Sequence, residues 1–97
     1  MTLCKVKGNI VSTNKTEKLK GFKLLVVTPF NVITGKEEGQ HFVAVDTVGA
    51  GEGEVVMVVN GSSARQTQQT ENKPVDAAIV AIIDSVEIER KLSLIHI

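Results

Sequence analysis

The segment Gly49-Ala50-Gly51-Glu52-Gly53 constrains this chain more than any other. Three glycines in five residues oppose a helix, because glycine loses the most backbone freedom of any residue there. Residues 41–48 before it alternate, with Phe42, Ala44 and Asp46 opposite Val43, Val45 and Thr47. Residues 54–59 after it form a compact β-branched run closed by Asn60-Gly61. Two strand-like runs joined by glycines that supply positive φ and close backbone approach predict a tight hairpin in an all-β chain.

The remaining segments agree with that class. Residues 3–13 alternate, with Cys4, Val6 and Ile10 on one face and Lys5, Lys7 and Asn9 on the other, and Gly8 marks a bulge or bend. Residues 14–21 are lysine-rich and end in glycine, as an exposed connection does. Residues 22–28 read as a buried strand stopped by Pro29, and residues 31–40 as a surface hairpin loop. Residues 62–73 are polar, with room for a short helix over residues 63–69 ahead of Pro74. Residues 77–89 form the longest strand candidate, since isoleucine and valine dominate a run too short to favour a helix. Strands at this spacing, separated by glycine-rich turns, predict a small barrel or sandwich. Residues 1–90 read as one domain and residues 91–97 as an apolar tail, suited to an added edge strand or to docking on a neighbour.

A 97-residue domain buries only about 60–70% of the surface its unfolded chain exposes, so its isolated core is marginal. Disulfides, metals or oligomerisation commonly make up the difference. Cys4 is the single cysteine, and His41 and His96 stand in no Cys/His ligand spacing, so no disulfide, metal or cofactor is expected. Oligomerisation is left. No signal-like start and no apolar run of about 20 residues is present, so the expectation is a cytoplasmic protein without a membrane segment. Residues 1–36 carry seven lysines against Glu17, while residues 37–97 carry four basic residues against ten acids. That polarity suits pairing within a subunit or between neighbours.

Catalytic and binding constellations fare poorly. Gly49-x-Gly51-x-Gly53 has the wrong spacing for a dinucleotide loop and leads into a strand, not a helix. Gly61-Ser62-Ser63-Ala64-Arg65 is no nucleophile elbow, and its serines suit a turn or cap. The guanidinium of Arg65 fits an inter-strand or intersubunit lock better than a substrate. Asp46, Asp76 and Asp84 lie in or beside apolar strands, where they suit backbone amides or a partner such as Arg65 better than a metal or an acid–base pair. Binding of single-stranded nucleic acid needs stacking aromatics, and only Phe22, Phe30 and Phe42 are available, all better used in the core. No enzyme is expected.

The runs Val45-Asp46-Thr47-Val48-Gly49-Ala50-Gly51-Glu52-Gly53-Glu54, Gly61-Ser62-Ser63-Ala64-Arg65 and Pro74-Val75-Asp76-Ala77 closely resemble the pentameric vertex proteins of bacterial microcompartment shells, the family of the ethanolamine-compartment and carboxysome vertex subunits. Gly8, Val11-Ser12-Thr13, Lys23-Leu24-Leu25-Val26-Val27 and Ile82-Ile83-Asp84-Ser85-Val86 extend the likeness over residues 1–88. The resemblance implies a small oligonucleotide-binding-like β-barrel with a short helix, assembled as a cyclic homopentamer. It further implies a structural role at the corners of a polyhedral shell, beside hexameric shell proteins. Gly49, Ala50 and Gly51 match the family segment near the five-fold axis. Gly61, Ser62, Ser63, Ala64 and Arg65 match its subunit-contact segment, with Asp76 beside them. The alternative is a small ring-forming barrel that binds single-stranded nucleic acid or a small anion; a co-chaperonin-like ring fits the glycine–serine segment worse.

Overall fold

Among the described residues the alternating runs become eight strands: β1 (Thr2–Ile10), β2 (Lys23–Asn31), β3 (Lys36–Glu37), β4 (Phe42–Asp46), β5 (Val55–Asn60), β6 (Ala77–Ile83), β7 (Ser85–Ile88) and β8 (Ser93–His96). The computed structural model describes residues 1–11, 21–61, 76–88 and 93–96. The short helix expected over residues 63–69 lies outside the described residues. No helix among the described residues is long and apolar enough to cross a membrane.

Closure comes from β1, which pairs antiparallel with both β2 and β5. The circuit β1-β2-β4-β6-β5 returns to β1, a closed five-strand barrel to which β3 adds a short extension beside β2. This is the Greek-key circuit of an oligonucleotide-binding-like barrel. Every contact around it is antiparallel except β4 with β6, which run parallel through Val45–Ala78 and Asp46–Ile79.

That circuit corrects the hairpin expected at Gly49 to Gly53. Strands β4 and β5 do not pair, because β6 lies between them. One edge of β5 is taken by β1 and the other by β6, so the glycine segment crosses an end of the barrel instead of turning back on itself. Pro29 likewise does not stop β2. It sits opposite Cys4 within the strand, between the last rung to β4 at Val27–Phe42 and the first rung to β3 at Phe30–Glu37. A residue without an N–H is tolerated where a strand changes partners. The loop over residues 31–40 is a hairpin as expected, and the bulge at Gly8 appears as a register shift between Val6 and Gly8.

The barrel interior is filled by Cys4, Val6, Leu25, Val27, Val56, Val58 and Ile79, with Phe42 and Ile82 packed against them. Each fully buried Val, Leu or Ile contributes roughly 1.5–3 kcal/mol relative to exposure. Ile79 and Ile82 both join this cluster although three positions apart, because β6 carries an extra residue, Val80, where the register with β5 shifts. A second cluster of Val45, Val59 and Ala78 gathers Phe22, Leu24 and Val80. Phe22 and Phe42 thus serve packing as expected. Phe30 does not: it belongs to neither cluster, and its ring carries the Lys5 ammonium 5.5 Å from the centroid.

Residues 77–89 do not form one strand. The run breaks at exposed Asp84, and β7 pairs with β8 as a separate two-stranded sheet. The tail of residues 91–97 therefore contributes a strand, and its partner is β7. One pair across the charge asymmetry forms inside the subunit, where Lys7 Nζ donates to Glu37 Oε2 at 2.8 Å. The Lys7 hydrogen bond holds the exposed Glu37 carboxyl below its ordinary range. Solvent-exposed pairs of this kind add little stability.

Burial pushes the Cys4 thiol up to about 11. The folded protein therefore keeps its proton where the unfolded chain, titrating near 9, has lost it. The contribution of this thiol to stability is expected to be flat below pH 9, to fall between 9 and 11, and to level off above, as the difference in denaturant midpoint between the parent and Cys4→Ser across that range will read. Native Cys4 should also resist a thiol reagent at neutral pH until denaturant is added, and Cys4→Ser should leave no pH step of this origin.

Candidate functional site

The loop between β4 and β5 is held from inside the subunit. Asp46, buried at the end of β4, accepts three backbone N–H groups: Val48 and Gly49 on Oδ1 at 3.0 and 3.1 Å, and Ala50 on Oδ2 at 2.9 Å. A buried carboxylate is costly unless its oxygens are satisfied, and the loop satisfies them by wrapping around it. The expectation that Asp46 binds backbone amides at a strand end holds. Thr47 Oγ1 donates to the Ile79 carbonyl at 2.6 Å, tying the start of the loop to β6.

Ala50 is fully buried and belongs to the barrel's interior cluster. Its methyl plugs the end of the barrel, while its carbonyl accepts Lys23 Nζ at 3.0 Å. The loop then turns over Gly51-Glu52-Gly53-Glu54, where Glu54 N–H donates to the Gly51 carbonyl at 3.1 Å. Gly53 has φ +88°, as the third residue of such a turn requires, and glycine takes it without strain. Glu54 Oε1 accepts Gly51 N–H at 2.6 Å. The turn is stitched to β1 by Gly53 N–H to the Val6 carbonyl and Val6 N–H to the Glu54 carbonyl.

Of the three residues matched to an axial segment, Gly49 is exposed, Gly51 half-buried and Ala50 turned inward. The outward aspect of Gly49 and Gly51 is accordingly backbone. A Cβ built on Gly51 meets only Glu54 Oε1 at 3.4 Å, an ordinary contact, and Gly51 is not in the left-handed region. The subunit's own packing therefore does not demand glycine there.

The second expected segment begins where β5 ends. Gly61, with φ +62°, donates its N–H to the Asp76 carbonyl at 2.8 Å, beside the Asn60–Ala77 rung. The structure thus brings Gly61 and Asp76 together. Ser62, Ser63, Ala64 and Arg65 lie outside the described residues. The Asp76 contact seen is through its backbone; Asp84 is exposed at the break between β6 and β7.

Sequence reasoning missed Lys23, Thr47 and Glu54 as holders of the loop. Only Glu54 left a signal, a carboxylate three residues after Gly51 that suits a local turn. Lys23 and Thr47 bond to groups 27 and 32 positions away, which no local pattern announces.

Residues 1–84 match the family described as ethanolamine utilisation protein EutN/carboxysome. The bacterial microcompartment shell vertex protein GrpN of Rhodospirillum rubrum is 52% identical over 89 residues, 90% of this chain and 97% of the relative. The carboxysome shell vertex protein CcmL of Synechococcus elongatus is 44% identical over 91 residues, 94% of this chain and 91% of the relative. The solved structure of the GrpN pentameric microcompartment shell protein superposes with a TM-score of 0.80 at 50% identity, covering 91% of this chain and 99% of that one. The CcmL structure from Nostoc sp. PCC 7120 gives 0.87 at 44% identity, covering 95% and 96%.

Asp46→Ala is expected to leave three amides without their acceptor and to cost about 2–4 kcal/mol. A lowered urea midpoint at unchanged slope will read it. A shift under 0.5 kcal/mol would show that water replaces the carboxylate freely.

Proposed function

This chain belongs to the ethanolamine utilisation protein EutN/carboxysome family, and on that premise we propose that it is a structural vertex subunit which closes the corners of a bacterial microcompartment shell. One observation carries the reading: a barrel that superposes along nearly its whole length on a relative described as a pentameric shell protein, at 50% identity. The role is geometric. A net of hexagons stays flat, and pentagons inserted into it produce the corners that close a polyhedron. Five copies of this chain form such a pentagon, seated in a shell within the cytoplasm. The names and pentameric structures of the relatives support this role and not the alternative of a binding module for nucleic acid or an anion.

The partners at the outer edge of the ring are hexameric shell proteins, a reading supported by the flatness of hexagonal nets. The work is mechanical, with no reaction of its own. The segment Gly49-Ala50-Gly51 lies at the five-fold axis with Gly49 and Gly51 facing it and the Ala50 methyl turned into the barrel, a reading supported by a loop whose outward aspect is backbone. Close approach of five copies around an axis favours such a surface, because a side chain added to one subunit is added to all. Gly61, Ser62, Ser63, Ala64, Arg65 and Asp76 form the contact with the adjacent subunit, a reading supported by the bond that sets Gly61 beside Asp76. Residues 1–90 are the vertex domain and residues 91–97 its tail.

Light scattering at physiological salt is expected to give a mass near five times the 10.4 kDa subunit. Gly51→Trp tests the axial placement, since the isolated subunit has room for a Cβ there. It should weaken the ring while leaving the β-sheet circular dichroism of the subunit intact. A pentamer as stable as the parent would move that loop away from the axis.

A further inference from the structure

The outside of this barrel has two different walls. Interior positions alternate with outward ones along each barrel strand. On β1 the outward positions include Lys5, Lys7 and Asn9. The wall built from β2, β4, β6 and β5 is apolar instead. With Leu25, Val27, Ala44, Val58 and Ile79 turned to the interior, alternation turns Leu24, Val26, Val43, Val45, Val59 and Ala78 outward. Single apolar residues on a surface are ordinary, whereas apolar residues aligned in register across strands mark a contact.

The registers sort these positions into two rows. Leu24 opposite Val45, Val45 beside Ala78 and Ala78 opposite Val59 make the first row, which crosses four strands. Val45, Ala78 and Val59 are buried, with Phe22 and Val80 packed against them, so that row is covered within the subunit. The second row begins with Val26 opposite Val43. Continuing the parallel register of β4 and β6 by two residues brings Val43 level with Asp76, whose carbonyl accepts the Gly61 N–H. This row is open: Val43 is 44% exposed, Val26 is half-buried, and Asp76 and Gly61 are exposed.

A relative described as pentameric matches 91% of this chain at 50% identity, and a ring takes outer surface from every subunit. The centre of such a contact is apolar and poor in charge, which the lysine-bearing side of β1 is not and the Val26–Val43 row is. The row also ends on Gly61 and Asp76, the residues read above as meeting the adjacent subunit. We propose that the Val26–Val43 row, with Asp76 and Gly61 at its end, seats the adjacent copy of this chain and forms the apolar centre of the contact between subunits. The inference rests on the pentameric reading and extends its contact segment onto β2 and β4. Seating a copy there removes the open row from water, while the β1 wall keeps its charges in solvent.

The test uses the full-length chain. Val43→Asp puts a charge into the open row, and Asn9→Asp puts the same charge on the β1 wall across the barrel. Both positions lie outside the interior cluster, so circular dichroism and thermal unfolding of the dissociated subunits should match the parent. Sedimentation across a dilution series should show Val43→Asp dissociating at a concentration roughly tenfold or more above the parent, with Asn9→Asp unchanged. Val43→Cys reads the cover itself with little change of volume, since Cys4 is buried and does not compete for reagent. The introduced thiol should react with a maleimide severalfold more slowly in the ring than in the dissociated subunit. A parent that sediments as a monomer removes the pentameric reading, and this inference with it. A pentameric parent keeps that reading and overturns the seat if Val43→Asp dissociates no more readily than Asn9→Asp, or if the thiol reacts at one rate in both states.

Discussion

Everything in this subunit depends on β1 serving two neighbours at once. Its first residues pair with β5 while Cys4 to Ile10 pair with β2, and that double engagement turns a five-strand sheet into a barrel. Cys4 and Val6 then face an interior enclosed on every side. The bulge after Val6 is the cost of the arrangement, since it lets β1 bend from one partner to the other. Lys7, displaced at that bulge, reaches Glu37 on β3 and ties the extension to the barrel wall.

Strand identity was legible in the sequence, and strand partnership was not. Alternation at Cys4 and Val6, the β-branched run at Val55 to Val59 and the isoleucines after Ala77 each announce a strand through side-chain period alone. Nothing local reports which edge meets which. The glycines from Gly49 to Gly53 therefore read as a hairpin, and only the insertion of β6 shows them to be a crossing. The bulge at Val80 was hidden for a related reason: an extra residue leaves no mark in an apolar run, yet it sends Ile79 and Ile82 to the same interior. Pro29 misled in the other direction, because a prohibition that holds for a central strand lapses where the strand changes partners.

The assembly role was legible only by resemblance. A catalyst announces itself through reactive groups gathered at a point, whereas a vertex subunit acts through angles between copies, which leave no such residues behind. What physics alone supplied was a small domain short of stabilisers and a segment of small residues. The order and spacing of Asp46 to Glu54, Gly61 to Arg65 and Pro74 to Ala77 supplied the family, and the match over residues 1–84 bears it out. The groups that hold the loop in place, Lys23 and Thr47, come from distant strands and became visible only in three dimensions.

The Asp46 cradle has a consequence for how such a particle is built. With its amides on a buried carboxylate, its Ala50 methyl in the core and its turn stitched to β1, the loop is ordered before a second subunit arrives. With the proposed axial placement, association spends little conformational entropy on that segment. In a closed polyhedron corners are few and facets many, so corner subunits are the scarce component and meet one another rarely. A part that is needed in small number and must not be left half-built gains most from arriving already shaped.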